Sequence, residues 1–200
     1  MFERFRRDLS RCFSFESRTG NPGPLEALKI LATHHPLKGI AVYRFGWWVR
    51  NKVSSPALKK PLKITYHVLD EVVRTFWGMH IESSAHVDGG LYIAHANGIL
   101  IGGATIGRDC NIGSGVIIGL RPGQATGHNL PTLGSNVFIG PSSMLFGGIT
   151  VADGATIGPL TLVGRNLPPG CLASGNPMQI LKKDYDNKTL IYGSRPPPPG

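Results

Sequence analysis

The chain has 200 residues and a formal charge of +9, with 27 glycines, 16 prolines and 3 cysteines. Cys12, Cys110 and Cys171 are widely spaced with no CxxC pair, which argues against a disulfide framework or zinc site and fits a reducing cytoplasm. No run reaches the ~18 apolar residues of a membrane span, and the charged opening Met1-Phe2-Glu3-Arg4 lacks the apolar centre of a secretion signal.

The charge is uneven. Residues 1–80 hold 14 Lys/Arg against 6 Asp/Glu, and residues 81–200 hold 7 against 6. A basic half suits nucleic acid or an anionic membrane surface, yet it carries no nucleic-acid motif. Solvated helix faces are the preferred reading, ahead of peripheral membrane contact.

Phe2, Phe5, Leu9, Cys12 and Phe13 share one stripe over residues 2–13, predicting an amphipathic helix packed on its own protein. Gly20, Pro22, Gly23 and Pro24 mark a loop. A second helix is expected over residues 25–33, ending before His35-Pro36 because the residue before proline avoids the helical region. A third covers residues 37–52, where Tyr43, Trp47 and Trp48 suit core packing more than ligand stacking. After a linker at Ser54-Ser55-Pro56, residues 63–77 read as a further amphipathic helix through Ile64, Val68, Leu69, Val72, Val73 and Phe76.

From residue 81 to 163 the pattern changes. Aliphatic residues recur every sixth position: Ile81, Val87, Ile93; then Leu100, Ile106, Ile112, Ile118; then Leu133, Ile139, Leu145, Val151, Ile157, Val163. Glycine often follows, as at Gly107, Gly113, Gly134, Gly140 and Gly158. A period of six fits neither helix nor free strand, but it suits a triangular coil of short flat faces, the signature of a parallel β-helix. The aliphatic residue points inward, and glycine is expected to supply φ > 0 at the corner. The organisation is then a helical segment over residues 1–79 capping the open end of a solenoid over residues 80–183, and a polar, Pro-rich tail over residues 184–200 whose last five residues are expected to be disordered.

The register breaks twice, each time with a histidine. Ala94-His95-Ala96-Asn97-Gly98 fills a step of seven, and residues 119–132, including His128, are expelled as a loop. Loops on a rigid scaffold are where chemistry tends to sit.

The hexapeptide solenoid, the helical start, the His95-Ala96-Asn97-Gly98 kink, the loop ending in His128 and the terminal Gly175-Asn176-Pro177 together resemble the serine O-acetyltransferase group of hexapeptide acyltransferases. That group includes exopolysaccharide and colanic acid-type O-acetyltransferases. The resemblance implies a mainly β fold, a left-handed parallel β-helix with an α-helical N-terminal cap, assembled as a homotrimer. It implies acetyl-CoA as co-substrate, with no tightly bound cofactor and no metal. His95 matches the catalytic general base, a task open to neutral imidazole at working pH. His128, with Asn97 and His80, is expected at the acceptor. Gly119, Gly140, Gly158 and Gly175 match positions passed by the pantetheine arm, and Lys182 and Lys183 would meet the phosphates of coenzyme A.

The chain departs from the family at His80 and Ala94, where acids are usual, which leaves Glu82 as the expected partner of His95. Gly127 replaces the arginine that grips the carboxylate of serine, and Pro141 and Pro159 lack N–H groups for coenzyme A. The expected function is direct acetyl transfer to a hydroxyl, on a sugar or polysaccharide precursor ahead of serine. The alternatives are a serine acetyltransferase of cysteine biosynthesis, a zinc enzyme using His80, His86, His95 and His128 whose spacing does not match that class, and a decayed trimeric scaffold.

Overall fold

A computed structural model describes residues 2–17, 19–121 and 129–193. Four helices come first: α1 (Phe2–Glu16), α2 (Pro24–Thr33), α3 (His35–Lys52) and α4 (Pro56–Trp77). Helix α4 starts well before the expected residue 63, because Pro56 sits in its first turn, where a missing N–H costs nothing. Pro36 likewise opens α3, and His34 caps it through Nδ1, which accepts the Leu37 N–H at 3.2 Å.

Five coils follow. The first holds β1 (Met79–Ile81), β2 (His86–Val87) and β3 (Tyr92–Ile93), and the second β4 (Ile99–Ile101), β5 (Thr105–Ile106) and β6 (Asn111–Ile112). The third holds β7 (Ile117–Gly119), β8 (Thr132–Leu133) and β9 (Phe138–Ile139), and the fourth β10 (Met144–Phe146), β11 (Thr150–Val151) and β12 (Thr156–Ile157). The fifth has β13 (Leu162–Val163) and β14 (Leu172–Ser174), closed by the antiparallel β15 (Gln179–Lys182). Strands three apart pair in parallel, except that β12 pairs with β14, giving a first face β1-β4-β7-β10-β13, a second β2-β5-β8-β11 and a third β3-β6-β9-β12-β14.

Twelve of the thirteen expected inward positions are buried, each worth about 1.5–3 kcal/mol over an exposed aliphatic side chain. Leu100 is the exception, at 47% exposure, while Ile99 and Ile101 on either side are buried. The step from Ile93 is therefore eight, and Ile101 pairs with Ile81 below and Ile118 above. Alternate residues share a side of a strand, so each face also turns in the residue two places earlier, such as Leu91, Val116 and Val137.

The glycines behind the aliphatics do not take positive φ. They are needed because coils stack closely. A Cβ on Gly107 would lie 2.5 Å from the carbonyl carbon of Gly134, and one on Gly140 2.5 Å from the nitrogen of Pro159.

The outward ladders differ between faces. The second face shows Thr105, Thr132 and Thr150, all exposed. The first shows Leu100, Ile117, Met144 and Leu162 in stacked register. The third is overlaid in part by α1 and by α5 (Lys188–Tyr192), a helix the polar tail did not suggest. Ile191 is fully buried, and Tyr192 donates to Asn136 Oδ1 at 2.6 Å. The expected disorder of residues 196–200 lies outside the described residues.

The cap docks through buried polar side chains. Tyr43 donates to the carbonyl of Ala85 at 2.9 Å and accepts from the Val87 N–H at 3.1 Å. Asp8 accepts from the N–H groups of Gly90 and Leu91 and pairs with Arg44, which donates to the carbonyls of Val87 and Asp88. The exposed backbone edge of the first coil is thus satisfied by the helices, as a buried edge requires.

Candidate active site

Residues 94–98 follow β3 at the corner between the third and first faces. The corner is fixed from both sides: Gly78 and Gly98 have φ of 58° and 71°, and a Cβ on Gly98 would lie 3.3 Å from Gly115 Cα. The carbonyl of Asn97 accepts the Gly115 N–H at 2.7 Å. His95 stands exposed on this corner and lines a cavity of about 380 Å³ together with Asn97.

The helical cap builds the opposite wall. Helix α1 contributes Glu16 from its last position, the α2–α3 junction contributes His34 and His35, and α4 contributes Trp77. The Glu16 carboxylate accepts from Tyr92 Oη at 2.8 Å, and its Oε1 lies 3.4 Å from His34 Nε2. The rings of His35 and Trp77 stack at 5.2 Å with an interplanar angle of 10°. His34 is 8% exposed, and burial lowers its pKa, opposed by the nearby Glu16 charge.

Glu82 and His80 line a different cavity, of about 320 Å³, with Asp70, Arg74 and Arg50. Glu82 directly follows β1 and lines no cavity in common with His95 within the chain. His80 does find an acid: its Nδ1 lies 2.9 Å from Asp70 Oδ1, and Arg74 contacts both residues. A groove of about 840 Å³ runs along the first face past Leu100, Ile117, Gly119 and Phe146.

Gly140 and Gly158 are buried beneath the next coil, whereas Gly175, with φ of 100°, donates its N–H to Thr161 Oγ1 at 3.1 Å. Lys182 and Lys183 are exposed at the far end of the solenoid. His128 and Gly127 lie outside the described residues. Of the four histidines of the zinc alternative, the three among the described residues are kept apart within the chain: His86 meets Arg4 and Trp47, His80 meets Asp70, and His95 faces the cap.

No family model matches the chain. It is 36% identical over 117 residues to the serine acetyltransferase of Helicobacter pylori strain 26695, covering 58% of this chain and 68% of that protein. The chain belongs to the serine acetyltransferase family. The serine acetyltransferase of Synechococcus elongatus is 26% identical over 162 residues, and the chain covers 63% of its length. Among solved structures, the serine acetyltransferase of Vibrio cholerae matches with a TM-score of 0.76 at 22% identity over 95% of this chain and 69% of that one. That of Brucella abortus matches with a TM-score of 0.75 at 19% identity, over 92% and 70%. At these identities the likeness concerns the fold, a helical cap on a β-helix.

For a serine acetyltransferase relative, the wall facing His95 is the part that sequence reasoning missed. Glu16 and His34 are far from His95 in the chain, and the only local signal was the pair His34-His35 before a proline.

Proposed function

We propose that the chain transfers an acetyl group directly from acetyl-CoA to an acceptor hydroxyl, with His95 as general base. The observation that carries this reading is the exposed imidazole of His95 at a break in the coil, facing a cavity, in a chain of the serine acetyltransferase family. An imidazole nitrogen takes the proton of the hydroxyl as its oxygen attacks the thioester carbonyl. The C–S bond then breaks, and the departing thiolate recovers the proton from the imidazolium. Direct transfer is supported by the cysteines. All three are buried and none lines the cavity, and burial pushes the Cys12 and Cys110 thiols up to about 12, far from the thiolate a covalent relay needs.

The serine acetyltransferase of Brucella abortus has been solved in complex with coenzyme A, and that of soybean with serine. The groove along the first face is assigned to acetyl-CoA. Gly119 supports this, because a Cβ there would meet nothing within 4 Å among the described residues, so their packing does not demand glycine. Gly175, Lys182 and Lys183 keep their assignment to coenzyme A, while stacking already accounts for Gly140 and Gly158.

The site is completed in a homotrimer. The apolar ladder of Leu100, Ile117, Met144 and Leu162 suits a face buried against another copy, in contrast with the threonines of the second face. His95 follows β3 at one edge of the first face, and β7 ends at the other. A closed ring joined across that face brings unlike edges together. Asn97 then flanks the acceptor, which is serine or a sugar.

The test is thiol release from acetyl-CoA with L-serine and with a panel of glycosides, beside calorimetric titration of coenzyme A. Acceptor-dependent release supports the reading. No binding and no release overturns it in favour of a scaffold.

A further inference from the structure

Among the described residues lining the cavity that His95 faces, Glu16 is the one acid and there is no lysine or arginine. Ala94, directly before His95, supplies no carboxylate. Glu16 is held by one oxygen only. Its Oε1 accepts from Tyr92 Oη at 2.8 Å, Oε2 accepts from no described residue, and the side chain is 35% exposed. The charge is also unbalanced. Its one ion-pair partner among the described residues is His34, at 3.4 Å, and the burial that lowers the pKa of His34 leaves that ring neutral at neutral pH. Nor does Glu16 serve its own helix, because it closes the last turn of α1, which has no basic residue, and a negative charge there opposes the helix dipole.

We propose that the open oxygen of the Glu16 carboxylate binds an ammonium group of the acceptor, so that Glu16 selects a hydroxyl compound bearing an amine on the adjacent carbon. The proposal rests on the acetyltransferase reading and names the group its acceptor must carry. A carboxylate in a partly water-excluded cavity is costly without a counter-ion, and an ammonium supplies the opposite charge together with three donors. In a 2-amino alcohol the amine stands one carbon from the hydroxyl-bearing carbon. One small molecule therefore presents its amine to Glu16 and its hydroxyl to His95 across the same cavity. L-Serine belongs to this class, and a neutral glycoside does not.

The test compares L-serine with 3-hydroxypropanoate, which is serine without its amine, and with methyl glucoside. Thiol release at saturating acetyl-CoA gives kcat and KM for each acceptor, and calorimetry gives the binding of each to the protein loaded with coenzyme A. The wild-type chain is expected to favour L-serine over both other compounds by about tenfold or more in kcat/KM. Glu16→Gln keeps an oxygen for Tyr92 and removes the charge. Its KM for L-serine should rise about tenfold or more, as for a lost hydrogen bond to a charged group, with kcat within about twofold. Its KM for acetyl-CoA should not move, and its use of 3-hydroxypropanoate should not worsen. Glu16→Asp restores the charge and should recover part of the loss. Equal losses with L-serine and 3-hydroxypropanoate in Glu16→Gln would mark a merely structural role and overturn the proposal, as would an unchanged KM for L-serine. Use of 3-hydroxypropanoate or the glucoside as well as L-serine by the wild-type chain overturns it while leaving the transferase intact. So does failure to bind or acetylate L-serine by a protein that binds coenzyme A. Absence of coenzyme A binding overturns the transferase reading itself.

Discussion

Asp70 Oδ1, on the last helix of the cap, lies 2.9 Å from Nδ1 of His80, on the first strand of the solenoid. Asp70 is 6% exposed and also pairs with Arg74 at 3.0 Å. Its carboxylate therefore joins cap to coil. Asp70→Ala should lower the unfolding free energy by about 1–3 kcal/mol, the cost of unmaking a buried polar contact. Urea denaturation followed by circular dichroism measures it, and an unchanged midpoint would remove Asp70 from the cap junction.

Stability should fall in mild acid through His34. Burial holds its pKa below the ordinary 6.5, so below that pH the unfolded chain binds a proton that the folded chain does not. The stabilising contribution is whole above pH 6.5 and is lost as pH falls toward the folded value. Urea midpoints at pH 7 and pH 5 should differ more for the wild-type chain than for His34→Asn, which keeps the cap without the titrating group.

The outward ladder of the first face supports a prediction about assembly. Leu100 and Met144, at 47% and 40% exposure, would each place a charge in a buried interface if changed to aspartate. Light scattering should report a trimer for the wild-type chain and monomers for Leu100→Asp with Met144→Asp. A wild-type monomer, or a trimer that survives both changes, argues for a different interface.

Gly140→Ala should destabilise the solenoid by about 1–3 kcal/mol or more, the usual range for overpacking. Its Cβ would press on the backbone of the next coil at Pro159 and Gly158, which cannot move without disturbing the stack. Gly119→Ala should fold normally, since its Cβ meets nothing within 4 Å among the described residues, and should instead weaken coenzyme A binding. Thermal melting and calorimetry separate the two effects.

The solenoid was legible in the sequence because each coil repeats the same demand, an aliphatic side chain inward at every face. The register failed only at Ile99-Leu100-Ile101, where three aliphatics in a row give periodicity nothing to choose between. The glycines were found for the wrong reason: stacking distance between coils, rather than a positive φ, excludes a side chain at Gly107 and Gly140. Helix α5 was missed because its anchors, Arg11, Asn111 and Asn136, belong to distant parts of the chain. The same long-range assembly hid the Glu16 and His34 wall, while His95 stood out because it interrupts a repeat.

His95→Ala tests the central claim most directly. The side chain is exposed on a corner held by its backbone, so the variant should keep its fold, its oligomeric state and its affinity for coenzyme A. Thiol release at saturating acetyl-CoA and acceptor should fall by about 10² to 10⁴-fold, the usual contribution of a general base. Release at the wild-type rate would contradict the assignment of His95 as the general base.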